Sequence, residues 1–297
     1  MPQSEPGRFR RALRHPLLLF PVKVVLVAAP MILIVGVARG TLHWSHAMIT
    51  FVAGPIAAIV MVTLFALYTR AIERRAVTEL SPHPAARELI VGFVAGTLCI
   101  ALVFGVLTAS NSYHITGVST GSVLWVALLS SLVTGVFEEL LFRGVLFRLV
   151  EDSWGSYAAL AVSSLFFGAA HLFNPNATWL SAVAIMVEAG VFLGAAYMLT
   201  RRLWLPIGIH TGWNFTEGGV FGAAESGTTP HGWLQSTISG PAWLSGGQSG
   251  PEASVVTVVI CGALGLALVL WVAKHGGIVK PRSQRAAGAA AGATTGA

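Results

Sequence analysis

Apolar residues in this chain fall in long, nearly unbroken runs, without the spacing of a half-buried helix or the alternation of a half-buried strand. Eight runs are long enough to cross ~30 Å of hydrocarbon as helices. They begin near Pro16, Ala47, Glu88, Ser122, Ser156, Thr178, Leu203 and Ala253, and end near Ala38, Tyr68, Ala109, Val150, Leu172, Leu199, Val220 and Ala273. The pattern predicts an all-α fold, a polytopic membrane helical bundle of about eight transmembrane helices over residues 16–275. A basic segment, 1–15, stands before it, and an Ala/Gly-rich tail, 276–297, expected to be disordered, follows. The first run is too long for a signal-peptide core and lacks a clear small-residue cleavage site, so it is expected to remain as an anchor.

Composition agrees: 55% of the 297 residues are hydrophobic and 10% charged, so the lipid bilayer is this chain's main partner. Lys and Arg favour cytoplasmic loops. Threading eight spans with the N-terminus inside places 17 of the 18 basic residues on or near the cytoplasmic side, Arg39 being the exception. Both termini are then expected in the cytoplasm, and the plasma membrane is the expected location. The net charge of +6 is explained by topology and suits anionic lipid; it gives no ground for a nucleic-acid partner. Cys99 and Cys261 lie inside apolar runs without a CxxC spacing and read as small buried hydrophobes. The segment from about Phe221 to Glu252 is rich in Gly, Ser, Thr and Pro, has no Lys or Arg, and carries Trp233 and Trp243. It is expected to be an external loop lying along the interface.

A charge in hydrocarbon costs on the order of 3 kcal/mol or more, so the polar residues within the runs need a reason. They are Glu138, Glu139, Arg143, His171, Glu188 and His210, with Asn214 as companion and Glu217 near a span end. Glu139 and Arg143 are four apart, acid first, and can pair on one helix face. Glu138 is turned by about 100° and has no such partner. Such a triplet suits a helix end at the headgroups; it also suits one structural acid beside one poised for proton transfer. His171 closes Phe167-Gly-Ala-Ala-His171. The midpoint of 138 and 171 falls in the polar turn Glu151–Ser156, so an antiparallel hairpin sets both at one level, roughly 25 Å from the turn. His210 and Asn214 share a face at i,i+4, either as a packing pair or as donors to a ligand, at a depth similar to the other two. Glu188 is protonated and packed, or lines the cavity with Phe167; its role stays open.

Together Glu-Glu-x-x-x-Arg, Phe-x-x-x-His and His-x-x-x-Asn, in that order, resemble the CAAX-protease and bacteriocin-processing (CPBP, or Abi) family. The likeness runs from about Ser122 to Asn214, within a catalytic core of 122–220. It implies an eight-helix glutamic intramembrane endopeptidase that cuts a membrane-bound protein or peptide near its C-terminus, with a cavity open toward the cytoplasm and no cofactor. By position, it implies that Glu138 and His171 activate water, His210 and Asn214 form the oxyanion hole, and Glu139 and Arg143 support the first glutamate. Residue chemistry agrees: a carboxylate or imidazole can serve as base and His or Asn N–H groups as oxyanion donors. Three other readings stand. One is a zinc peptidase with Glu138, His171 and His210 as ligands, although the chain has no His-Glu-x-x-His helix. The others are a non-catalytic scaffold or immunity factor and a proton-coupled transporter, the last disfavoured by the absence of an internal repeat.

Overall fold

The computed structural model describes residues 16–121, 123–227 and 232–285; the basic segment 1–15 and residues 286–297 lie outside the described residues. Among these, six helices are long and apolar enough to cross a membrane. In chain order the first three are α1 (Leu19–Gly40), α2 (His46–Glu73) and α3 (Ala85–Ala109). A 51-residue helical run, Val123–Phe173, follows. It breaks at Gly155, where φ is 83°, a conformation that a Cβ would oppose. Its limbs are α4 (123–154) and α5 (156–173). Then come α6 (Trp179–Thr200), a shorter α7 (204–220) made of Trp204–Asn214 and a π-helical end Phe215–Val220, and α8 (Val255–Lys274). The protein is an all-α integral membrane bundle. Its outward side chains are apolar, as lipid contact requires: Ile32, Leu98 and Val259 are more than 60% exposed.

Between helices in lipid there is little hydrophobic drive, so association depends on close packing of small residues and on polar contacts. The α3–α7 pair shows this most directly. Gly92 and Gly96 of α3 face Gly208 and Gly212 of α7, and a Cβ at any of the four would collide with backbone of the opposite helix. Two Gly-x-x-x-Gly steps thus bring the backbones together and fix the rotation of α7, which carries His210 and Asn214. Gly135 plays the same part between α4 and α7, where an added Cβ would lie 3.0 Å from Thr211 Oγ1 and 3.6 Å from His210 Cβ. Gly168 and Gly190 let α5 and α6 meet. Cys99 and Cys261, buried as expected, touch across α3 and α8 with 3.5 Å between sulfurs.

One end of the bundle is a network of charges. Glu79, fully buried, accepts from Arg75 at 2.8 and 2.9 Å and pairs with Arg148 at 2.9 Å. Burial pushes the Glu79 carboxyl up, but the Arg75 hydrogen bonds and the Arg148 charge outweigh this and hold it below its ordinary value. Arg201 pairs with Glu151, and Arg202 with Glu88. The first residues of the expected tail are ordered here. Ser156 N donates to the Val279 carbonyl at 3.0 Å, Val279 N donates to Ser156 Oγ at 2.9 Å, and Arg285 donates to the Asp152 carbonyl. The polar turn 151–156 therefore has a partner that composition does not reveal.

At the other end, β1 (Tyr113–Val118) and β2 (Leu234–Ile238) form an antiparallel ribbon with an irregularity between Ile115 and Gly117. It ties the 110–122 connection to the long loop. Phe221 stacks on Phe104 with centroids 4.1 Å apart, and Tyr113 Oη donates to the Phe221 carbonyl at 2.8 Å. The loop is thus folded onto the bundle, with Trp233 and Trp243 on its outer side. The basic residues in this end are few, so the cytoplasm is expected at the charged end. Reporter fusions after Ser112, Asn176 and Gly240 are expected to read external, and one after Arg202 cytoplasmic. Two contrary readings would overturn that orientation.

Candidate active site

Helices α4 to α7 enclose a cavity of about 230 Å³. It lies between two apolar clusters, taking Phe167 and Ile185 from one and Phe192, Ile209 and Trp213 from the other. Three π-helical turns surround it: Leu140–Phe147 directly after the paired glutamates, Met186–Val191 containing Glu188, and Phe215–Val220 directly after Asn214. An extra residue in a helical turn re-aims the side chains around it, and such turns concentrate at functional sites.

Glu138, Phe167, His171, Glu188, His210 and Asn214 all line this cavity. Glu138 Oε2 is 3.9 Å from His171 Nε2 and 3.9 Å from His210 Nε2, too far for a direct hydrogen bond. That oxygen has no hydrogen-bond partner among the described residues. The hairpin of α4 and α5 does set residues 138 and 171 at one level.

The second glutamate is arranged differently. Glu139 is fully buried, and its Oε1 accepts from Arg143 Nη1 at 2.8 Å and meets His210 Nδ1 at 3.0 Å. Arg143, also fully buried, donates through Nη2 to the Ala189 and Gly190 carbonyls at 3.0 and 3.1 Å. Its guanidinium stands 4.6 Å from the Phe167 ring centroid, a cation–π distance. Phe167 is therefore a platform: Arg143 lies on it, and the His171 ring packs against it at 4.9 Å.

Both imidazoles are oriented by what their Nδ1 atoms touch. His171 Nδ1 donates to the Phe167 carbonyl at 2.8 Å, one helical turn back, which leaves Nε2 with a lone pair toward Glu138. His210 Nδ1 donates to the Glu139 carboxylate, so its Nε2 is an acceptor in the neutral ring and a donor only in the imidazolium. Asn214, one turn beyond His210, makes no side-chain hydrogen bond among the described residues and keeps its amide toward the cavity. Among the described residues no group of three or more His, Cys, Asp or Glu is placed to hold a metal ion.

The far wall of the cavity holds residues that the sequence did not mark. Asn174, Glu225, Ser226 and Glu252 complete the lining, the last three from the expected interfacial loop. Asn174 Nδ2 donates to the Ser226 carbonyl at 2.8 Å, and Ser226 donates through N and Oγ to Glu252 Oε2 at 2.6 Å. Burial and the neighbouring Glu252 carboxylate push the Glu225 carboxyl up to about 8. The family likeness implies a cavity open toward the cytoplasm; here its outer wall comes from the end opposite the cationic network. The signal available in the sequence was two acids in a loop without a single Lys or Arg.

No curated protein and no solved structure matches the chain. Residues 120–216 match a family model described as Rce1-like, type II CAAX prenyl endopeptidase. The eight residues singled out in the sequence, from Glu138 to Asn214, all fall inside that match, and over that segment the chain is similar to the CAAX-protease family its motifs resemble.

Proposed function

We propose that this protein is a glutamic intramembrane endopeptidase that hydrolyses a peptide bond near the C-terminus of a membrane-associated protein or peptide. The observation that carries the reading is one unpartnered carboxylate oxygen, on Glu138, equidistant from two imidazole nitrogens. A single water can bridge groups at that separation. In the reaction, water attacks the scissile carbonyl carbon while Glu138 takes its proton, with the His171 Nε2 lone pair orienting the water's other hydrogen. The carbonyl oxygen becomes an oxyanion that accepts from Asn214 Nδ2 and from Nε2–H of the His210 imidazolium, which Glu139 supports from behind. Collapse of the tetrahedral species breaks the C–N bond, and Glu138 returns its proton to the leaving amine. Nothing in this sequence of steps requires an acyl-enzyme.

Removing one oxyanion donor typically costs ~10²- to 10³-fold in rate. His210→Gln and Asn214→Ala are each expected to lose about that much kcat, to keep measurable activity, and to gain nothing from added zinc. Purified protein is expected to withstand a strong chelator. Activity lost to the chelator and restored by one equivalent of zinc would instead make Glu138, His171 and His210 metal ligands.

A further inference from the structure

The cavity that Glu138 lines carries three more carboxylates, Glu188, Glu225 and Glu252, and among the described residues no Lys or Arg lines it. Their surroundings differ. Glu252 is held by three donors, the N and Oγ of Ser226 and the Trp213 indole at 3.2 Å. Glu225 is bonded to the Gly218 backbone. Glu188 is 2% exposed and makes no hydrogen bond or ion pair among the described residues, although it lies mid-helix on α6 and lines the cavity. Glu217, fully buried, also keeps one oxygen unpartnered. A carboxyl buried with neither cation nor donor is expensive, and several facing one space repel whenever more than one ionises. Arg143, whose pairing with Glu139 occupies it, does not line the cavity and does not relieve them.

We propose that Glu188, Glu225 and Glu252 form a subsite for a basic side chain of the substrate, beside the bond to be cut; this rests on the peptidase reading above. A lysine ammonium or arginine guanidinium entering the cavity would supply the missing positive charge, and its apolar stem would lie against Phe192, Leu193 and Trp213, which line the same cavity. A bare metal ion fits less well, because the carboxylates do not converge within coordinating distance of one point. An organic cation has the reach to meet acids on different elements. Glu225 lines the same cavity as His210 and Glu138, so the subsite adjoins the hydrolytic groups. This gives Glu188 a role as a specificity-determining residue, and it gives Glu225, Ser226 and Glu252 one as the loop residues that complete the subsite.

The test separates binding from hydrolysis. Purified Glu138→Gln protein in lipid nanodiscs is titrated with fluorescein-labelled apolar dodecapeptides in which one lysine is walked along the sequence, each against its norleucine counterpart. At one position lysine is expected to bind at least ~10-fold more tightly. Adding Glu188→Gln, or Glu225→Gln as a second route should the first variant fold poorly, is expected to cut that preference to under ~3-fold. Asp152→Asn, on the exposed turn at the opposite end, is expected to leave it intact. Equal binding of lysine and norleucine peptides at every position, or a preference that survives both glutamate variants, overturns the subsite. Since the titration reads binding alone, a lysine preference supports the subsite even if wild-type protein, assayed separately, cuts none of the peptides, an outcome that would count against the peptidase alone. Wild-type protein cutting both kinds of peptide with equal kcat/KM would keep the peptidase and remove the subsite.

Discussion

Glu138→Gln is expected to abolish hydrolysis, with a fall in kcat/KM of at least ~10³-fold, and to leave the protein as stable in detergent as wild type. Both halves follow from the surroundings of one side chain. Glu138 is 18% exposed at its side chain, accepts no hydrogen bond at Oε2, and lies 3.9 Å from each imidazole. An amide of the same shape therefore breaks no contact that holds the fold, but it cannot take a proton from water. Steady-state cleavage and thermal unfolding of the same preparation check the two halves together. Cleavage at the wild-type rate would remove Glu138 from the chemistry, and a collapse of stability would make it a structural acid instead.

The second large effect is on folding. Arg143→Ala is expected to cost roughly 3–5 kcal/mol, the usual cost of stripping one partner from a buried ion pair, and the variant should scarcely accumulate. The substitution leaves the Glu139 carboxylate with His210 alone, frees the Ala189 and Gly190 carbonyls, and opens a space against Phe167. Pairing it with Glu139→Gln removes the stranded charge, so Arg143→Ala/Glu139→Gln is expected to be more stable than Arg143→Ala. Activity should remain low in the double variant, because His210 has lost the carboxylate that supports its imidazolium. Thermal unfolding followed by size-exclusion fluorescence measures this. A double variant no more stable than the single one would show that the ion pair is not what Arg143 contributes.

Much of this arrangement was legible because hydrocarbon leaves a chain few choices. Apolar runs had to be helices, and each charge within them had to find a partner or a task. The Glu139–Arg143 pairing followed from helical spacing, and the level of Glu138 with His171 from simple counting about the turn at 151–156. The three motifs carried the family resemblance, and the family match covers all three. What stayed hidden depends on which helices touch. The steps Gly92-x-x-x-Gly96 and Gly208-x-x-x-Gly212 stand plainly in the sequence, but that α3 and α7 are each other's partners is a tertiary fact. The same holds for Cys99 against Cys261. Gly155 read as part of a polar turn, whereas the structure runs the helix almost through it and bends at that one residue. The loop 221–252 was legible as polar and free of Lys and Arg. Its composition did not disclose that Glu225, Ser226 and Glu252 turn back into the cavity, since that fold relies on Asn174, Trp213 and the β1–β2 ribbon, all distant in sequence.

The central claim, that Glu138 drives hydrolysis of a membrane-associated substrate, is tested most directly by mass-spectrometric comparison of protein and peptide C-termini in cells carrying the wild-type protein and in cells carrying Glu138→Ala at equal abundance. The account predicts a small set of membrane-associated chains that end at a truncated C-terminus with the wild type and are left uncut with the variant. Indistinguishable termini in the two cultures, with both proteins present in the membrane, would contradict it.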